Sequence, residues 1–250
     1  MYFYCNKYLL HKFNPSINRV KELVGYGGYI FGSSVLSSVF SNLDQLLTAS
    51  FLLPSSVAYY NAAKRINGFI DIPTYAAAEI VFPKMSQASA DEGISKVKSI
   101  YEKMVSLLLC FIIPAAILVI LLPKLLIFVL AGSDYSSAAV ILQIYMIISV
   151  IGTLQHQAAT SMDSIGKTKL SFFTNLTSFI IKLMITYFCL KHFGFYGAAI
   201  GSLITSVITG LIWYFLMKRE VGFSIAAVPQ HMKFYYLIAY KNLKSVLSRT

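Results

Sequence analysis

Asn61, Lys64, Arg65, Asn67, Asp71 and Glu79 occur within one otherwise apolar stretch, Val57–Phe82. Ionisable side chains in such a stretch are costly at membrane depth and persist where they face a bundle interior or a water-filled path. At about 100° per residue along a helix, Lys64, Asn67, Asp71, Tyr75 and Glu79 share an arc of roughly 120°, with Asn61 aligned on Glu79 and Arg65 just beyond. The chemistry available on that face is binding rather than bond breaking. Asp44 in an earlier apolar stretch and Lys182 in a later one add an acid and a base. The bland alternative is that these charges pair structurally between helices, or that the lysines snorkel to a headgroup layer. So many polar groups on one arc favour a water-filled cavity. Lys64 and Asp71 stand two turns apart, too far for direct pairing but close enough to share a water or a partner helix. Pro73, between Asp71 and Glu79, is expected to kink the helix near mid-membrane.

Six long apolar stretches would position these groups: roughly Val24–Leu53, Val57–Phe82, Met104–Leu122, Ala138–Ser161, Leu170–Leu190 and Ala198–Met217. Each reaches the roughly 20 residues needed to cross a bilayer. The expected fold class is an all-α integral membrane protein with six transmembrane helices. Whether Leu46–Leu53 continues the first helix or forms a short outer segment is open at this level. Lys and Arg gather at both ends of the chain and at the second and fourth junctions (Lys84, Lys96, Lys98, Lys103; Lys167, Lys169), whereas the other side carries only Lys124 and Lys191. Basic loops stay on the cytoplasmic side, so both termini are expected inside. Three segments follow: a cytoplasmic stretch 1–23, a transmembrane region 24–217 and a basic tail 218–250. In the tail Met232, Tyr235, Tyr236, Ala239, Tyr240, Leu243, Val246 and Leu247 recur at helical spacing, with Lys233, Lys241 and Lys244 between them. That pattern predicts an amphipathic helix on the inner leaflet, the alternative being a disordered basic tail.

Composition agrees: 57% hydrophobic and 12% charged residues, with a mean hydropathy of +0.67. Topology accounts for the net charge of +11, so a nucleic-acid partner is not expected. Cys5, Cys110 and Cys189 form no CxxC pair, and His11, His156, His192 and His231 share no spacing for a metal or a triad, so no metal and no cofactor are expected. His156, beside Gln155, Gln157, Thr160 and Ser161, suits hydrogen bonding between helices. The outer connections, Leu53–Ser56, Ala131–Ser137 and Lys191–Gly197, are too short to hold an active site, and no Gly-x-Ser-x-Gly or Walker-type loop is present, so an enzyme is not expected. The inner connection Lys84–Lys103 reads as a solvated helical hairpin. Gly194, Gly197 and Gly201 suggest tight helix packing.

An ordered set of short motifs resembles the second half of bacterial polysaccharide flippases. It consists of Asp44-Gln45-Leu46-Leu47; Val57-Ala58-Tyr59-Tyr60-Asn61-Ala62-Ala63-Lys64-Arg65-Ile66; Phe82-Pro83-Lys84-Met85-Ser86; Gly132 through Tyr135 with Ala138, Ile141 and Leu142; Gly166-Lys167 with Lys169; and Gly194-Phe195-Tyr196-Gly197-Ala198-Ala199-Ile200. It covers about Val24 to Met217. The family often has Gly where Ala58 stands.

The resemblance implies membership of the multidrug, oligosaccharidyl-lipid and polysaccharide exporter superfamily, in which two six-helix lobes rock about a central cavity. This chain is similar to the second lobe alone. The implied substrate is a polyprenyl-pyrophosphate-linked oligosaccharide, crossing the bacterial inner (plasma) membrane by alternating access. By the same analogy Lys64 and Arg65 would attract the pyrophosphate, Asn61, Asn67 and Tyr75 would meet the sugar, and Asp44, Asp71, Glu79 and Lys182 would bind a coupling ion or pair with other charges. The implied partners are the lipid bilayer and either a separate first lobe or a second copy. Two other expectations compete: a multidrug exporter half with the same fold, and a non-transporting remnant lobe, which Met1 at the place of an inter-lobe connection would suit.

Overall fold

The computed structural model describes residues 16–52 and 54–247, and every element among them is helical. The helices are α1 (Ile17–Phe51), α2 (Pro54–Asp91), α3 (Ile94–Leu121), α4 (Pro123–Ala131), α5 (Ala138–Ser164), α6 (Thr168–Phe193), α7 (Gly197–Glu220) and α8 (Ala227–Leu247), with 3₁₀ turns at Ser133–Tyr135 and Gly194–Tyr196. Each of the six expected apolar stretches falls almost wholly within one helix, and α1 continues to Phe51. Pro73 and Pro83 lie inside α2 without ending it, and Pro114 lies inside α3. Each removes one backbone donor, a loss that packed apolar helices tolerate.

By length and apolarity four stretches of the described residues qualify as membrane spans: Leu23–Phe51, Ile94–Leu121, Ala138–Ser164 and Thr168–Glu220, the last containing both α6 and α7. Helix α2 does not qualify because it carries the polar arc. That burden is the physical reason this helix, expected as one of six spans, is not among the four.

α5 is the central element, packing on α2, α3 and α7, while α6 packs on α7 and on α1. α1 touches α2 far less than it touches α6. We call the end with the α1–α2 connection upper and the end with the α2–α3 turn lower. An upper apolar cluster joins Tyr60 and Ile66 to Leu142 and Met146, and a lower one joins Met85 and Tyr101 to Met162, Trp213 and Met217. The lower ends of α2 and α3 run past their apolar stretches and meet at Glu92–Gly93, giving the helical hairpin expected there. Gly93 has a φ of 80°, a conformation that strains residues bearing a Cβ.

Of the N-terminal segment 1–23, residues 1–15 lie outside the described residues, and α1 begins at Ile17. In the tail 218–250 the expected helix forms as α8, and residues 248–250 lie outside the described residues. The α8 face carrying Val228, Met232 and Tyr236 meets α3. The Ser224 N–H donates to Glu102 Oε1 (3.1 Å), the Tyr236 hydroxyl to the Cys110 carbonyl (2.9 Å), and the Cys110 thiol to the Met232 carbonyl (3.8 Å). These contacts set α8 alongside α3 in the same direction, so protein takes up much of its apolar face.

Candidate functional site

A cavity of about 740 Å³ lies between α1, α2, α5, α6 and α7. The sparse contact between α1 and α2 leaves room for it. Its α2 wall is Lys64, Asn67, Gly68, Asp71, Thr74 and Tyr75. Asn61, Arg65 and Glu79 are exposed outside that wall. The division follows helical geometry: taking Lys64 as zero, the wall residues span roughly −80° to +40°, while Asn61 and Glu79 sit near 60° and Arg65 near 100°. The arc read from sequence is thus real, but packing centres the cavity on one edge of it.

Near the upper end the Lys64 ammonium donates to the Ser41 carbonyl (2.5 Å) and to Asn42 Oδ1 (2.8 Å), both on α1. Lys64 therefore reaches across to α1 rather than toward Asp71. Asp71 accepts from Asn67 Nδ2 at 2.6 Å, and Asn67 Oδ1 accepts from the Ser149 hydroxyl at 2.9 Å. This chain ties α2 to α5. Thr74 extends it, its hydroxyl 3.2 Å from that of Thr153 and its carbonyl accepting from Gln157 Nε2 at 2.8 Å. Tyr75 stands edge-on to the His156 ring, with centroids 4.7 Å apart. The role expected for His156 was hydrogen bonding between helices. Among the described residues its Nδ1 has no hydrogen-bond partner, and the ring packs on Tyr75.

Asp44 and Lys182, distant in sequence, come together on the cavity wall. Their charged atoms lie 3.2 Å apart, with both side chains only 6% exposed. The carboxylate also accepts from the Ser202 hydroxyl (2.5 Å) and the Tyr145 hydroxyl (3.2 Å), and Lys182 donates to the Phe40 carbonyl (3.0 Å). With these partners the pair meets the condition for burial, that its remaining lone pairs and protons are hydrogen-bonded. The lower half of the cavity holds Asp71 and Asp163, and neither has a lysine or arginine in ion-pair distance among the described residues. No cluster of three or more His, Cys, Asp or Glu able to hold a metal occurs among the described residues.

Sequence reasoning missed much of this wall: Ser33, Ser37 and Ser41 on α1, Ser149 and Thr153 on α5, Asn175 and Ser178 on α6, and Ser202 and Ser206 on α7. Their signal was available, since small polar residues spaced three or four apart in an apolar helix mark a packed or wetted face. They carry no charge, and so were not singled out.

The family described as polysaccharide biosynthesis protein matches residues 1–140, more than half of the chain. The chain belongs to that family. Among curated relatives of the chain, the "Probable low-salt glycan biosynthesis flippase Agl15" of Haloferax volcanii is 21% identical over 198 residues, covering 79% of this chain and 42% of the relative. The "Putative O-antigen transporter" of Shigella flexneri is 23% identical over 200 residues, covering 80% and 47%. The chain thus spans less than half the length of these relatives. Among solved structures it resembles MATE in the bent conformation (TM-score 0.77, 13% identity, 88% of this chain and 49% of that one). It also resembles the lipid II flippase MurJ in the inward closed conformation (TM-score 0.68, 18% identity, 98% and 52%). At these identities the likeness concerns the fold.

Proposed function

We propose that this chain is a six-helix lobe of a flippase that carries polyprenyl-diphosphate-linked oligosaccharide across the bacterial inner membrane. α1, α2, α3, α5, α6 and α7 cross the bilayer, the upper end faces out, and the N-terminal end of α1 and the C-terminal end of α7 are cytoplasmic. The lobe works by alternating access against a second lobe. It is a transporter rather than an enzyme, its work being to bind and release a substrate that stays chemically intact. The observation that carries this reading is the polar cavity bounded by Lys64, Asn67, Asp71 and Tyr75 in a member of the polysaccharide biosynthesis family.

Within it, Lys64 is the anchor for a phosphate oxyanion, and Asn67 and Tyr75 hydrogen-bond sugar hydroxyls. Asp71 is the acid that takes the coupling proton or sodium ion, having no basic partner to neutralise it among the described residues. Asp44 and Lys182 act as a charge pair. Asn61, Arg65 and Glu79, exposed beside the cavity, contact substrate or the second lobe when the two lobes come together.

The roles of Lys64 and Arg65 separate in one experiment. With each substitution placed in the chromosomal copy of the source strain, Lys64→Gln is expected to cut surface polysaccharide at least tenfold at normal protein level. Arg65→Gln should cost about threefold or less. Normal polysaccharide in the Lys64→Gln strain would sink the substrate reading.

A further inference from the structure

Both cavity lysines are satisfied by a single turn of α1. Lys64, from α2, takes the Ser41 carbonyl and the Asn42 amide oxygen. Lys182, from α6, takes the Phe40 carbonyl and the Asp44 carboxylate, and its ammonium lies 4.3 Å from the centroid of the Phe40 ring. Residues 40–44 thus present two backbone carbonyls, an amide oxygen and a carboxylate to two ammonium groups that arrive from different helices. The carbonyls lie inside α1, where the helical ladder already uses them, so accepting from a lysine is an added role that helix formation does not require. A phosphate offers the same acceptor chemistry with more charge, so an ammonium that now meets neutral carbonyl and amide oxygens would meet an anion in their place. If the Lys182 ammonium leaves Asp44, the carboxylate keeps the Ser202 and Tyr145 hydroxyls. α1 packs chiefly on α6, so the Lys64 contacts are a main tie between α1 and α2.

We propose that the Phe40–Asp44 turn is an internal stand-in for a diphosphate. In the conformation seen here it occupies Lys64 and Lys182; a diphosphate entering the cavity displaces it, bridges the two ammonium groups and releases α1 from α2. This rests on the reading of the cavity as the path of a diphosphate-linked substrate, and adds that occupancy of that path gates α1. A ligand shifts a conformation only by its differential affinity for the two states. Here the difference is the exchange of the α1 oxygens for phosphate oxygens, and the α1 oxygens therefore compete with the ligand.

Competition separates this device from a structural ion pair. The probe is inorganic pyrophosphate, titrated calorimetrically into the purified full chain in micelles, with hydrogen exchange followed across residues 33–44. Asn42→Ala, which removes an exposed competing oxygen, is expected to tighten binding about threefold. Lys64→Met and Lys182→Met should each weaken it at least tenfold, and exchange across residues 33–44 should rise several-fold at saturation. Unchanged or weaker binding in Asn42→Ala, unaltered exchange at saturation, or no binding by the parent chain would each overturn the proposal. Asn42→Ala leaves the buried pair intact, so the test survives even where Lys182→Met fails to fold. Competition in the titration beside normal polysaccharide in the Lys64→Gln strain would uphold the exchange and reject the substrate reading alone.

Discussion

Lys182→Met is expected to lower the midpoint of thermal unfolding in detergent by on the order of 10 °C. The substitution keeps the aliphatic stem and removes the charge, leaving the Asp44 carboxylate with only the Ser202 and Tyr145 hydroxyls among its described partners. Removing one member of a buried pair typically costs about 3–5 kcal/mol. For a chain of this length each kcal/mol is worth about 2–4 °C. Asp44→Asn should be costly as well, because it strands an ammonium that is held only by the Phe40 carbonyl and the face of the Phe40 ring. The double variant, with both charges gone, should recover most of the loss, since a neutral pair of similar shape has no desolvation penalty to offset. Unfolding curves of the four proteins close this cycle. Additive losses in the double variant would show that the two groups act independently and that their proximity does not hold α1 to α6.

The second large effect is expected where α6 and α7 approach most closely. A Cβ on Gly197 would lie 2.3 Å from the Cys189 carbonyl oxygen, and one on Gly201 would lie 2.8 Å from Thr186 Cα. Both obstacles are backbone, so the helices themselves must separate. Gly197→Ala should therefore leave little folded protein, and Gly201→Ala should cost about 3 kcal/mol or more, at the upper end of overpacking effects. Gly210→Ala is the control: its Cβ would meet Ile151 Cγ2 at 2.9 Å and Gln155 Nε2 at 3.2 Å. Those are side-chain ends that can rotate away, so a loss of about 1 kcal/mol or less is expected. Size-exclusion profiles of the solubilised variants would check this order, and a Gly197→Ala protein as monodisperse and as heat-stable as the parent would refute the close-approach account.

These two effects mark different degrees of legibility. Gly197 and Gly201 were readable in sequence as tight packing of the last two apolar stretches, because small residues at helical spacing serve that purpose; Gly194, read with them, instead has a φ of 55° and open space where a Cβ would stand, so it serves the turn that ends α6. The Asp44–Lys182 pair was not. Both residues stood out as charges in apolar stretches, but nothing local says that a residue on α1 and one on α6 face each other. The same holds for α8, whose amphipathic pattern predicted a helix lying on the inner leaflet and not one whose apolar face α3 covers.

By itself the sequence determined where the helices run and that α2 carries a polar stripe through an apolar environment. Both follow from hydropathy and the 3.6-residue period, which act over a few turns and need no knowledge of neighbours. Only the tertiary structure decided which edge of the stripe became the cavity wall, placing Lys64, Asn67, Asp71 and Tyr75 inside and Asn61, Arg65 and Glu79 outside. It also decided that the Lys64 and Lys182 ammonium groups both end on the Phe40–Asp44 turn of α1. The reason is that a helix offers its whole circumference for contact, and the close packing of α5 and the looser approach of α1 select the part of it that faces inward.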